Sequence, residues 1–253
     1  MKIGAQLYTL REYCQDLTAL DETLKKVADI GYTSVQLSGV CSYEADWMAE
    51  RLQAYGLTCD LTHFDYNKII NQTKETIAFH DTMGCRYIGL GYSSRLQEEE
   101  EFSRFVGELT PVLPVLVASG HKFMYHNHNM EFARRDGKTL LSHLCDAFDK
   151  DELGITLDCY WVQAGGADPV QWIKALAGRV ECVHYKDMVY SSEDKAVRMA
   201  PVGRGNMNYP AIIEASLNSG VEYAFVEQDN CYGEDPFVCL KESYDYLKAQ
   251  GLS

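Results

Sequence analysis

The chain lacks several things that would place it at once. No apolar run approaches the roughly 20 residues a membrane helix needs. The opening stretch MKIGAQLYTLRE has no basic-then-apolar leader. Together these point to a cytoplasmic protein with no membrane partner. The nine cysteines include no C-x-x-C pair, which removes a zinc ribbon or dithiol motif. Cys59, Cys85, Cys159 and Cys182 sit in apolar stretches, where Cys behaves as a small hydrophobe, so the thiols read as reduced and structural. Cations are scarce: 23 Lys and Arg against 37 Asp and Glu give a net charge of −14. The densest charge run, Glu98 to Glu101, is negative and reads as a solvated helix start. Nucleic-acid binders need clustered Lys and Arg, so no nucleic-acid partner is expected. No glycine-rich phosphate turn follows the first strand, and no low-complexity linker divides the chain.

What is present is regular. With 253 residues, 46% of them hydrophobic, the chain can bury a large core as one domain, residues 1–253. A helical pattern repeatedly closes on a glycine, and a β-branched or aromatic run follows it. The instances begin at Gly31, Gly56, Gly84, Gly120 and Gly220. The first helix carries Leu17, Leu20, Leu24, Val27 and Ala28 at helical spacing, with Thr18 as its expected N-cap. Asp168-Pro169 opens another helix, Pro210 does the same for a third, and Pro111 and Pro114 should break the one spanning Phe102 to Ser119. Eight strands are predicted: Ile3–Leu7, Ser34–Leu37, Thr58–Thr62, Tyr87–Leu90, Phe123–His126, Ile155–Leu157, Cys182–His184 and Ala224–Glu227. Strands alternating with helices imply a parallel sheet. Eight such units in this length predict an α/β fold, a (β/α)8 TIM barrel, over an open doubly wound sheet.

Barrel active sites form where strands end, and the polar residues concentrate there. Strand one runs into Tyr8-Thr9-Leu10-Arg11, and strand three ends at His63. Strand five leads into Tyr125-His126-Asn127-His128-Asn129-Met130-Glu131-Phe132 and strand six into Leu157-Asp158-Cys159-Tyr160-Trp161. Strand seven reaches His184-Tyr185-Lys186-Asp187 and strand eight Glu227-Gln228-Asp229. Each residue alone has a bland reading as a cap, a rim ion pair or a hydrogen-bonded core group. Four successive strands delivering a carboxylate or imidazole to one rim is harder to explain that way, because unpaired buried charge is costly. Glu131, Asp158, His184 and Glu227 would supply three carboxylates and one imidazole without a thiolate, which suits one divalent ion such as Mn²⁺, Mg²⁺, Co²⁺ or Zn²⁺. His126, on the strand itself, is the alternative to Glu131.

At these residues the sequence resembles the sugar phosphate isomerase/epimerase superfamily, the xylose-isomerase-like barrels. The group includes inosose dehydratases and isomerases, ketose 3-epimerases and endonuclease IV. The markers are Gln6 to Arg11, Tyr125 to Phe132, Leu157 to Trp161, His184 to Asp187, Val202-Gly203-Arg204-Gly205 and Val226 to Asp229. The resemblance implies a metal set of Glu, Asp, His and Glu from strands five to eight, which falls on Glu131, Asp158, His184 and Glu227. The chain departs from the ketose epimerases at strand five, where His126 and His128 stand in place of a glutamate. With seven histidines and its acidic charge it is unlike a DNA-repair nuclease. The implied substrate is a small sugar or polyol, and the resemblance allows a homo-oligomer.

A metal holding a carbonyl and its neighbouring hydroxyl acidifies the C–H between them. Proton return to the adjacent carbon isomerises, and return to the opposite face epimerises. Loss of a β-substituent makes a lyase or dehydratase acting on a keto-inositol, keto-sugar or 3-keto-glycoside. The expected acid/base pair is Glu227 with one of Glu131, His128 or His126. Lys186 is expected to polarise a substrate oxygen, with Tyr8, Arg11, His63 and Trp161 lining the pocket and Arg204 presented from a glycine-flanked loop. Isomerase or epimerase is the first reading, lyase the second, and a non-catalytic sugar-binding barrel the third.

Overall fold

The computed structural model describes every residue, Met1–Ser253. Eight parallel strands close on themselves: β1 (Lys2–Gln6), β2 (Ser34–Leu37), β3 (Thr58–His63), β4 (Tyr87–Leu90), β5 (Lys122–His126), β6 (Leu153–Asp158), β7 (Cys182–Tyr185) and β8 (Tyr223–Val226). Each pairs with its sequence neighbours, and β1 pairs with β8 in the register Ala5 to Val226. The architecture is the (β/α)8 barrel expected. The main outer helices are α1 (Leu17–Ile30), α2 (Ala45–Tyr55), α3 (Thr73–Met83), α4 (Glu99–Leu109), α5 (Leu140–Ala147), α6 (Pro169–Ala175), α7 (Tyr209–Asn218) and α8 (Pro236–Ala249).

Local chemistry sets most helix ends. Gly56 and Gly84 close α2 and α3 at a φ of 66°, a conformation L side chains adopt only under strain. Asp168 caps α6 by accepting from Val170 N, with Pro169 in the first turn. The segment containing Pro111 and Pro114 breaks as expected: α4 ends at Leu109 and a separate turn of helix spans Leu113–Ala118. One cap is corrected. Asp16, not Thr18, caps α1 by accepting from Ala19 N at 2.9 Å, since it stands one residue before the first helical position. Leu17 then falls on the outer face and is exposed, while Leu20, Leu24 and Val27 are buried.

A single apolar layer between sheet and helices holds the fold together. Strand alternation sends every second residue into the barrel instead. Leu61, Tyr87, Met124, Cys182 and Phe225 fill that interior as a separate cluster. One step nearer the C-terminal ends, the next inward positions are polar: Gln6, Gln36, His126, Asp158, His184 and Glu227, all buried. The apolar layer is the floor on which the polar layer stands. All nine cysteines are free thiols, and the four singled out from the sequence are buried. No helix is long and apolar enough to cross a membrane.

Candidate metal centre

Four of the inward residues converge. His126, Asp158, His184 and Glu227 each place one ligand atom within 4.8 Å of the others. The second polar atom of each is held by a different neighbour. His126 Nδ1 donates to Gly91 O at 2.9 Å, which leaves Nε2 facing Asp158 Oδ2 at 3.3 Å. Asp158 Oδ1 accepts from Trp161 N at 2.9 Å and so caps the helical turn Cys159–Ala164. His184 Nε2 donates to Gln36 Oε1 at 2.6 Å, and its Nδ1 lies 2.8 Å from Glu227 Oε2. Glu227 Oε1 accepts from Gln6 Nε2 at 3.0 Å. One atom of each residue is therefore fixed from behind and the other is directed inward, the arrangement that orients metal ligands. His184 Nδ1 and Glu227 Oε2 are buried and face each other at 2.8 Å without a well-formed hydrogen bond between them. Two imidazole nitrogens and two carboxylate oxygens turned inward fit a divalent cation.

Lys186 lies against the same oxygens. Its ammonium is 3.0 Å from Asp158 Oδ2, 2.9 Å from Glu227 Oε2 and 3.1 Å from Asp229 Oδ2. Burial works against its charge, but these carboxylates outweigh burial and hold it protonated. Burial would likewise raise Asp158 and Glu227, yet Lys186 and the imidazoles keep both well below the usual carboxylate range. Asp229 is pushed up to about 7 by burial and by Glu227. His184 gains proton affinity from Glu227 and Asp158 against the opposing effect of burial. Burial and His184 lower His126, and burial takes His128 down to about 3, so both rings are neutral.

The cluster floors a cavity of about 480 Å³. His63, His128, Trp161, Tyr8 and Lys186 line it. The His126 and His128 rings stand 4.7 Å apart, and Trp161 packs 5.5 Å from His128. Three expected residues are placed elsewhere. Glu131 is buried in the turn after β5, where Oε1 accepts from the Tyr125 hydroxyl at 2.7 Å and Oε2 from His128 N at 2.9 Å. It stands outside the ligand cluster because both of its oxygens are used behind the pocket wall, and His126 takes the inward position. Arg11 turns back along its own helical turn, with its guanidinium 4.5 Å from the Tyr8 ring centre and donating to Tyr8 O. Arg204 is exposed and paired with Glu234 and Glu242. Its glycine-flanked loop does other work: Gly203 N and Gly205 N donate to Asp187 Oδ2, and Met207 N to Oδ1. A Cβ at Gly205 would overlap that carboxylate.

Several pocket residues lie outside the motifs, or within them without an expected role. Gln6, Ser38, Gly91, Tyr92 and Asp229 all face the cavity. Gln36 lies behind it as the acceptor for His184. For Gln6 and Gln36 a signal existed: each is an amide side chain inside a short buried strand, an expensive placement without a partner.

A closed (β/α)8 barrel with a ligand cluster at its strand ends defines the class. A family model described as "Xylose isomerase-like TIM barrel" matches residues 24–248, and the chain belongs to that family. A sugar phosphate isomerase/epimerase from Parabacteroides distasonis superposes with a TM-score of 0.83 at 21% identity, covering 98% of this chain and 93% of that one. The IOLI protein, solved with a binding zinc atom, gives 0.73 at 16% identity, covering 98% and 97%. An inosose dehydratase from Geobacillus kaustophilus is 22% identical over 193 residues, 66% of this chain and 62% of that protein. The matched part is therefore less than two thirds of that relative's length.

Proposed function

We propose that the chain binds one divalent cation through His126, Asp158, His184 and Glu227 and catalyses isomerisation or epimerisation of a sugar- or polyol-derived keto substrate. The observation that carries this is the inward convergence of four donors, each fixed by a separate partner. Two imidazoles beside two carboxylates favour Mn²⁺, Co²⁺ or Zn²⁺ over Mg²⁺, which prefers an all-oxygen shell. A bound cation would supply Lewis-acid polarisation of the substrate carbonyl.

The chain's own groups do the rest. Glu227 is the carboxylate at the pocket floor suited to accept a proton. His128 is the second proton carrier: it is neutral, its Nδ1 has no partner, and it lines the cavity. Lys186 donates to a substrate oxygen as negative charge develops there. Trp161 and Tyr8 offer flat faces to sugar C–H groups. Glu131, tied to Tyr125 and His128, positions the wall and does not reach substrate.

A β-elimination has one specific observation in its favour. The β5 side of the cavity presents His126 and His128 where a symmetric pair would need a carboxylate, so proton acceptor and proton donor are chemically different groups. With both rings neutral, Glu227 removes a C–H proton at one carbon and the departing oxygen at the next takes its proton from the Lys186 ammonium. The test is metal analysis of the purified protein with NMR of keto-sugars in D₂O. One equivalent of metal and solvent deuterium in a product of unchanged formula support the isomerase reading, and loss of water or an alcohol supports the lyase. A metal-free active protein, or full turnover by Glu227→Gln, would overturn both. Tight binding without exchange would leave a sugar-binding barrel.

A further inference from the structure

A second cavity of about 280 Å³ lies over the loops that follow β2 and β3. It shares Ser38 and His63 with the main pocket. Ser38 Oγ and His63 Nδ1 are hydrogen-bonded at 2.9 Å, so this pair is the wall between the two spaces. Their linings differ. The main pocket is walled by imidazoles, carboxylates and an ammonium. The second holds three half-buried aromatic rings, with Tyr43 5.7 Å and Phe64 5.3 Å from Phe79 between centroids, and Val40 beside them.

Two charged groups, Asp65 and Lys68, also line it. Asp65 caps its own helical turn by accepting from Lys68 N, and the Lys68 ammonium lies 5.7 Å from the Phe64 ring centre. The space therefore sets three aromatic faces among polar groups, which suits a ring that carries both an apolar face and hydroxyls. On the shared wall, His63 Nε2 is buried without a partner. With Nδ1 engaged by Ser38, that nitrogen has one hydrogen bond to give or take. Nothing in the chemistry at the cluster uses these rings.

We propose that this cavity is a subsite for the second ring of an extended substrate. The sugar unit lies over the cluster, the linking oxygen meets His63 Nε2, and the outer ring stacks on Tyr43, Phe64 and Phe79. The substrate class is thus a glycoside, whose outer ring is either a second sugar or an aryl group. The inference rests on the reading of the cluster as a sugar site.

Calorimetric titration of the metal-loaded protein tests it, using glucose, cellobiose and phenyl β-glucoside and, in parallel, galactose, lactose and phenyl β-galactoside. A two-ring compound is expected to bind at least tenfold more tightly than its parent sugar. Preference for the phenyl glycosides assigns an aryl outer ring, and preference for the disaccharides a second sugar. Val40→Trp, which fills the cavity, should bring the ratio close to one. Ser42→Trp, at an exposed position on the same rim, should act in the same direction and covers the case in which the first variant does not fold. Equal affinity for one- and two-ring compounds, no binding of any, or an unchanged ratio in both variants would overturn the proposal. Binding is the readout, so failure of the proton-transfer chemistry registers separately, in the D₂O experiment.

Discussion

The four candidate metal ligands are each a two-ended side chain, and the end turned away from the cluster decides what the other can do. His184 is the clearest case. Gln36 Oε1 accepts a hydrogen bond from Nε2, which turns Nδ1 toward Glu227. Gln36→Leu removes that acceptor without touching the cluster and is expected to weaken metal affinity about 10–100-fold, as loss of such outer partners does. Competition titration with a chromophoric chelator measures it, and an unchanged affinity would show that Gln36 does not orient the ring. Glu131 is predicted to behave differently. A glutamine there accepts from only one of Tyr125 and His128 and turns an amide toward the other. Glu131→Gln should cost about 1–3 kcal/mol in denaturant unfolding while metal stoichiometry stays at one. Loss of the metal in that variant would return Glu131 to the ligand set.

Between elements, the barrel ties its helices down with a few buried polar bonds. His80 of α3 meets the Thr62 hydroxyl of β3 at 2.9 Å through Nε2 and bonds Thr76 O at 2.7 Å through Nδ1. Burial pushes this imidazole down to about 4, with His121 adding to the effect and Asp81 opposing it. In the unfolded chain it returns to about 6.5. The unfolded state therefore takes up the proton first as pH falls. Stability from this residue is complete above pH 6.5 and is lost between there and about 4, by up to about 3 kcal/mol. Chemical denaturation across that range should show the loss, and His80→Gln should flatten the slope; equal slopes would refute it. The 203–207 loop obeys the same logic from another element. The Gly-Arg-Gly sequence suggested a loop presenting Arg204, but the glycines serve the approach of backbone N–H groups to the buried Asp187 carboxylate, and Arg204 is left at the surface.

At the scale of the whole molecule, ligand atoms from β5 to β8 meet only when the barrel is closed. A cation that binds the folded but not the unfolded chain adds about 2.7 kcal/mol at a hundredfold excess over Kd. For a chain of this size each kcal/mol is worth about 2–4 °C in Tm. Chelation should therefore lower the Tm of the metal-loaded protein by about 5–10 °C, and scanning calorimetry with and without chelator checks it. No shift, with metal shown to be present, would place the ion outside the cluster.

The sequence by itself determined the barrel. The eight strand-helix units are local patterns, set by an apolar period and at several of them by a glycine stop or a cap, and their order leaves little choice of topology. It also determined that polar residues crowd the strand ends, because alternation along a strand is a local property. Which of those residues face one another was decided by the tertiary structure. Glu131 and His126 are only five residues apart, yet one is turned back by the Tyr125 hydroxyl and a local amide while the other enters the barrel. Gln36 reaches His184 across 148 residues, and Gln6 reaches Glu227 across 221. Such partnerships depend on strand register and barrel closure, and no sequence spacing records them.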